Sequence, residues 1–183
     1  MEKTVVLYES KYGFTKCYAL WIAEALSCPA FSRKEFSPGK FADYDTIIFG
    51  GGLYAGGVGG IRLLTDHWQM ISQKKVILFT CGLADPREPA NVKHIRENLE
   101  KILTPEMYRK IHLFHLRGGI DYSRLSMIHK SMMAMLRRML LKKDPQELTS
   151  EDQQLLATYG QQLDFTDRAS IDRLVQYVQK INS

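Results

Sequence analysis

An α/β fold, a parallel sheet with helices on both faces, follows from three features of this sequence. Short apolar, β-branched runs alternate with segments whose apolar residues recur at helical spacing. The runs are apolar throughout rather than at every second residue, the pattern of strands buried on both faces. Three loops leaving the ends of these runs, 9–15, 50–60 and 81–86, are rich in Gly, Ser, Thr or other small residues. In an open parallel sheet such loops lie beyond the carboxyl ends of the strands, where ligands bind.

The elements follow in order. Lys3 to Tyr8 is the first buried strand, and Ala19, Ile22, Ala23 and Leu26 mark the helix after it. Ala30 to Phe36 is polar and weak, which suits an edge strand. Thr46 to Gly50 is a second buried strand and runs into a glycine-rich loop from Gly50 to Gly60. Ile61, Leu64, Trp68 and Ile71 are spaced as one face of a single helix. Lys75 to Thr80 is a third buried strand, followed by the loop Cys81 to Pro86. Val92, Ile95, Leu99 and Ile102 mark another helix, and Ile111 to Leu116 is the last strand. The closing helix starts near Asp167, with Ile171, Leu174, Val175 and Val178 inward.

Composition narrows the function. The 183 residues, 45% hydrophobic, make one globular domain with material for a core. No apolar run is long enough to span a bilayer, and the first ten residues lack a signal-peptide pattern. Cys17, Cys28 and Cys81 have no metal-like spacing and suit a reducing cytoplasm, and the five histidines form no ligand pair. No metal is expected. Residues 124–143 hold six Lys or Arg and no acid, so the +5 total leaves −1 for the remainder. The basic character is local, and nucleic-acid binding loses its support.

Ser10, Gly13 and Thr15 between a strand and a helix are equipment for a phosphate monoester. Helix N-termini present unpaired N–H groups and a favourable dipole to an anion. Thr15 as an ordinary N-cap is the alternative. Gly50-Gly-Gly-Leu-Tyr-Ala55 fits a dinucleotide fingerprint, but no acid stands about twenty residues on, and no Gly-Lys-Ser/Thr occurs anywhere.

The segment Ser10-Lys-Tyr-Gly-Phe-Thr15 resembles the phosphate loop of the flavodoxin superfamily, and the resemblance spans essentially all 183 residues. It implies a three-layer flavodoxin-like fold with a five-stranded parallel sheet in the order 2-1-3-4-5, and FMN as cofactor. By that resemblance Ser10, Lys11, Tyr12, Gly13, Phe14 and Thr15 hold the phosphate. Gly52, Leu53, Tyr54, Ala55, Gly56, Cys81, Gly82 and Leu83 border the isoalloxazine, with Tyr54 stacking on the ring. Cys81 can equally be a small buried hydrophobe.

About fifty residues separate the last strand from the last helix, too many for a simple loop, so 118–163 is an insertion within the single domain 1–183. Met127 to Lys143 reads as a helix. Ile128, Met132, Met135, Leu136, Met139 and Leu140 lie on one arc, with Lys130, Arg137, Arg138 and Lys142 opposite. Ser150 to Gln153 reads as a capping box. The basic helix is either a packing face with a solvated back or a surface for an anionic membrane or a partner. Gly118-Gly119, Tyr122, this helix and Asp164-Phe-Thr-Asp167 together resemble the quinone-dependent protoporphyrinogen oxidase branch of the superfamily. That implies an oxidoreductase using a quinone or a redox protein partner, cytoplasmic and peripheral at the inner face of the membrane. A soluble electron carrier and a non-enzymatic adaptor are the other readings, and a homodimer is open. No catalytic residue is assigned.

Overall fold

The computed structural model describes residues 2–54 and 56–183, without the side chains of Ser150 and Glu151. In chain order the elements are β1 (Thr4–Glu9), α1 (Phe14–Ala25), β2 (Ala30–Ser32), β3 (Thr46–Tyr54), β4 (Gly57–Val58), α2 (Arg62–Thr65) and α3 (Trp68–Ile71). Then come β5 (Lys75–Gly82), α4 (Pro89–Ile102), α5 (Pro105–Lys110), β6 (His112–Arg117), β7 (Gly119–Asp121) and α6 (Met127–Leu140). The chain closes with α7 (Ser150–Ala157), β8 (Gln162–Asp164) and α8 (Asp172–Ile181). It divides into two compact units, Met1–Gly118 with Thr166–Ser183, and Gly119–Phe165.

In the first unit β2, β1, β3, β5 and β6 pair in that spatial order, all parallel. Counting only these five strands, this is the expected 2-1-3-4-5 order. Alternate residues of each strand serve opposite faces. Val6, Ile48, Ile77 and Phe79 pack with Tyr18 and Ile22 of α1 and with Leu174 and Val178 of α8. Val5, Phe49 and Leu78 pack with Leu64, Trp68, Ile71, Ile95 and Leu99 on the other face. Full burial of a side chain such as Ile22 or Leu64 contributes about 1.5–3 kcal/mol, so the two layers supply the driving force that fixes the sheet.

Several expected boundaries move. β2 stops at Ser32, because the Glu35 carboxylate accepts from the Ser32 N–H at 3.0 Å and its hydroxyl at 2.6 Å, turning the chain. The helix expected across Ile61 to Ile71 is two single turns. The His67 imidazole contacts the Leu63 carbonyl at 3.0 Å, taking the acceptor that the His67 N–H would need to continue α2. The closing helix is led by a 3₁₀ turn at Arg168–Ile171, with the Asp167 carboxylate accepting from the Ala169 N–H.

The second unit is a two-stranded antiparallel ribbon, β7 with β8, enclosing α6 and α7. The ribbon was not expected from the sequence. Thr149, not Ser150, is the N-cap of α7, and Asp152 completes a reciprocal capping box. Within α6 only Leu140 of the expected apolar arc is buried, whereas Met127, Ile128, Met135 and Met139 are 77, 73, 61 and 58% exposed. The basic back is partly engaged: Arg137 lies 5.0 Å over the Tyr159 ring, and Lys143 pairs with Asp152 at 3.4 Å.

Candidate functional site

The register of the sheet sets Glu9 beside Gly51, Gly52 beside Cys81, and Gly82 beside Arg117. The carboxyl ends of β1, β3, β5 and β6 therefore lie side by side, and the loops leaving them form one rim.

On that rim, the β1–α1 loop turns through Gly13, whose φ of 102° suits a residue without a Cβ. The Gly13 N–H donates to the Ser10 hydroxyl at 3.1 Å, which leaves the Ser10 O–H to donate elsewhere. No side chain caps α1 at Gly13, so its first N–H groups are left for another acceptor. A Cβ built on Gly13 meets nothing within 4 Å, so the space beside the helix start is open. Lys11 is exposed, and Thr15 is buried in the first turn at 2% exposure. Thr15 is thus not the N-cap; that position belongs to Gly13.

The stretch expected as a glycine-rich loop is mostly strand. β3 continues through Gly50, Gly51 and Gly52 to Tyr54, and β4 folds back on it with Leu53 opposite Val58. The glycines are demanded by packing. A Cβ at Gly50 would lie 2.1 Å from Phe79 Cζ, and one at Gly51 would lie 2.3 Å from Val58 Cγ1. At Gly52 it would lie 2.6 Å from the Tyr54 hydroxyl, so the tyrosine ring folds back over a bare backbone. Tyr54 stands edge-on to Tyr12, with ring centroids 5.9 Å apart. Burial pushes its phenol up to about 12, although the Lys11 backbone N–H faces the hydroxyl. Leu53 points the other way, toward Gly82. Ala55 lies outside the described residues, and Gly56 forms the hairpin turn at φ 79°.

Cys81 and Gly82 likewise belong to β5 rather than to a loop. Cys81 is buried, and its sulfur fills the space a Cβ on Gly118 would take, 2.7 Å away, beside Phe14. Leu83 opens the loop, and its conformation is held from β6. Arg117 donates from Nε to the Leu83 carbonyl at 3.2 Å and from Nη1 to the Asp85 carboxylate at 3.1 Å. The Arg87 guanidinium and then Arg117 hold the Asp85 carboxyl down to about 2. Tyr18 ties the same strand end to the chain before α8: its hydroxyl donates to the Arg117 carbonyl at 2.6 Å and accepts from the Asp167 N–H at 3.1 Å.

Every expected site residue that is described thus lies at the carboxyl end of β1, β3 or β5. Tyr54 meets the β1–α1 loop, while Leu53 and Gly82 meet on the opposite side of β3. Sequence reasoning missed Asp85, Arg117 and Tyr18. The one signal available was an arginine ending the last strand opposite an Asp-Pro loop. Among the described residues no cluster of His, Cys, Asp or Glu fits a metal ion, and no helix is long and apolar enough to cross a membrane.

No curated protein matches this chain. Solved structures resemble it at low identity. The flavodoxin, WrbA-like protein from Agrobacterium tumefaciens is 15% identical, covering 98% of this chain and 99% of its own, with a TM-score of 0.49. A flavoprotein in complex with FMN from Lactobacillus acidophilus is 18% identical over 64% and 93%, with a TM-score of 0.40. Flavodoxin 2 from Bacillus cereus is 20% identical over 63% and 85%, with a TM-score of 0.39. The family model of the flavodoxin domain matches residues 5–149, most of the chain and both the β1–α1 loop and the glycine-bearing end of β3; the protein belongs to the flavodoxin domain family.

Proposed function

We propose that this chain binds FMN at the rim formed by β1, β3 and β5 and acts as a redox protein. The observation that carries the reading is the uncapped start of α1 at Gly13, set beside a strand end stripped to bare backbone at Gly52. The donor set fits a phosphate monoester: the Ser10 hydroxyl, the first N–H groups of α1 and the Lys11 ammonium. Tyr12, Gly13, Phe14 and Thr15 complete that loop. Gly52, Leu53, Tyr54, Ala55, Gly56, Cys81, Gly82 and Leu83 border the flavin, with Tyr12 and Tyr54 as its aromatic wall. The flavin supplies one-electron or hydride chemistry; the protein orients it and excludes water.

Loading is read from the absorbance spectrum of the protein with added FMN. Lys11→Glu places a carboxylate at the phosphate loop on an exposed position, and FMN affinity falls about tenfold or more while the fold stays intact. Thr15→Glu makes the harsher version of the same test. Affinity unchanged in Lys11→Glu, with the far-ultraviolet spectrum also unchanged, rejects the assignment.

The finer reading is an oxidoreductase of the protoporphyrinogen oxidase type that passes electrons to a quinone at a membrane. Its support is the exposed apolar and basic surface of α6. A turnover assay with protoporphyrinogen and a quinone tests it. The alternative, a soluble one-electron carrier, predicts a very low second reduction potential and no turnover.

A further inference from the structure

A cavity of about 180 Å³ opens on the side of β3 away from the phosphate loop, between the β3–β4 hairpin, the start of the β5–α4 loop and one face of α4. Successive strand residues point to opposite sides. Tyr54 turns to Tyr12 and the β1–α1 loop, so Leu53 turns into the cavity. Leu53, Val58, Leu83, Ile95 and Leu99 give it an apolar floor. An apolar cavity of about 150 Å³ holds one benzene ring, which sets the size class here.

The rest of the wall is polar. Asn91, His94 and Asn98 line it, and no lining residue is acidic. The Asn91 amide donates to the Asp85 carbonyl at 3.0 Å, so that side chain is committed to the loop. The Asn98 Nδ2 lies 3.2 Å from His94 Nε2, and Lys101 Nζ lies 3.5 Å from Asn98 Oδ1. This arrangement orients the carboxamide: its oxygen accepts from the lysine, and one N–H donates to the imidazole. The second Asn98 N–H is then a donor with a fixed direction. Asn98 also packs beside Gly56, its Nδ2 3.5 Å from the place a Cβ would occupy, so it stands at the hairpin wall of the cavity. An oriented donor beside an apolar floor, with no acidic residue in the lining, selects a flat ring that bears an acceptor oxygen.

We propose that this cavity is a binding site for a planar aromatic carbonyl compound, its ring on Leu53, Leu83 and Ile95 and its oxygen accepting from Asn98. Leu53, Gly56, Gly82 and Leu83 border both this cavity and the rim assigned to FMN, so the bound ring sits next to the flavin loops. Its role as a redox partner of the flavin rests on the FMN reading; the binding itself does not.

The test uses the full chain saturated with FMN and two probes of matched shape, acetophenone and ethylbenzene, titrated by ligand-observed NMR. Asn98→Leu weakens acetophenone about fivefold, the loss of one hydrogen bond, and leaves ethylbenzene unchanged or tighter. Asn98→Trp fills the opening and weakens both probes tenfold or more, while FMN affinity stays within twofold in both variants. The proposal is overturned if wild type binds neither probe, if Asn98→Leu weakens the two probes equally, or if FMN affinity falls in step with probe affinity. A wild type that takes no FMN yet shows the Asn98-dependent probe pattern rejects the flavin assignment and upholds the cavity.

Discussion

His115 illustrates how one half-buried group adds to the acid sensitivity of the fold. Its Nδ1 meets the Thr80 hydroxyl at 2.8 Å, its Nε2 is buried without a hydrogen-bond partner among the described residues, and burial, then Arg96, pushes it down to about 4. An unfolded imidazole takes its proton near pH 6.5. The folded pKa is depressed, so the contribution is fully present above about pH 6.5 and is lost as pH falls toward 4. His115→Gln keeps a partner for Thr80 but has no proton to take up. Denaturant titrations are expected to show the wild type losing about 2 kcal/mol between pH 7 and pH 4.5 that the variant does not lose. Equal losses in both proteins reject this role. Asp85 acts at lower pH by the same logic: its carboxyl, held at about 2, stabilises above pH 4 and ceases to do so as pH falls through 2. Arg117, only 17% exposed beside Asp85 at 15%, thus serves geometry at the Leu83 carbonyl as well as charge.

At the level of elements, β3 and α6 differ in how far their sequences announce them. Three consecutive glycines read as a loop because glycine is a poor strand former by entropy. They are strand here because Phe79, Val58 and Tyr54 occupy the volume their side chains would need, a tertiary fact invisible in local pattern. The β1–α1 loop, by contrast, was legible from its letters, since its hydroxyls and glycine meet requirements local to a helix start. For α6 the periodicity showed an amphipathic helix without showing which side is covered. Met127, Ile128, Met135 and Met139 are exposed, and under the proposed membrane reading they and their basic neighbours meet an anionic bilayer. Each Lys or Arg near such a surface contributes about 1 kcal/mol. Lys130, Arg138 and Lys142 are exposed, and changing all three to Gln is expected to abolish co-sedimentation with phosphatidylserine vesicles at physiological salt. Retained binding sinks the membrane reading. A dimer dissociated by Met135→Glu and Met139→Glu, without vesicle binding, identifies a second copy of the chain as the occupant.

For the molecule as a whole, the alternation of strands and helices was legible because hydrophobic periodicity encodes it directly, whereas the sheet order came from the resemblance carried by the β1–α1 loop. The ribbon of β7 and β8 was not legible, since two three-residue strands more than forty residues apart leave no local trace. It pairs Gly119 with Asp164, so the insertion begins and ends at neighbouring points of the backbone. Replacing residues 120–163 by a short glycine-containing turn is therefore expected to leave a folded, FMN-binding protein that no longer sediments with vesicles. A cooperative thermal transition and the flavin spectrum check the first part. An unfolded product would show that the first unit needs the second.

That pairing has a further consequence for how such a chain changes over generations. Because closing a loop costs only about 0.6 kcal/mol more for each doubling of its length, residues added or lost between Gly119 and Asp164 leave the stem almost indifferent. The stem acts as a graft union: whatever grows beyond it can lengthen, shrink or be exchanged for another appendage without renegotiating the sheet. Descendants of this chain can thus diversify what they touch while inheriting one flavodoxin-domain chassis.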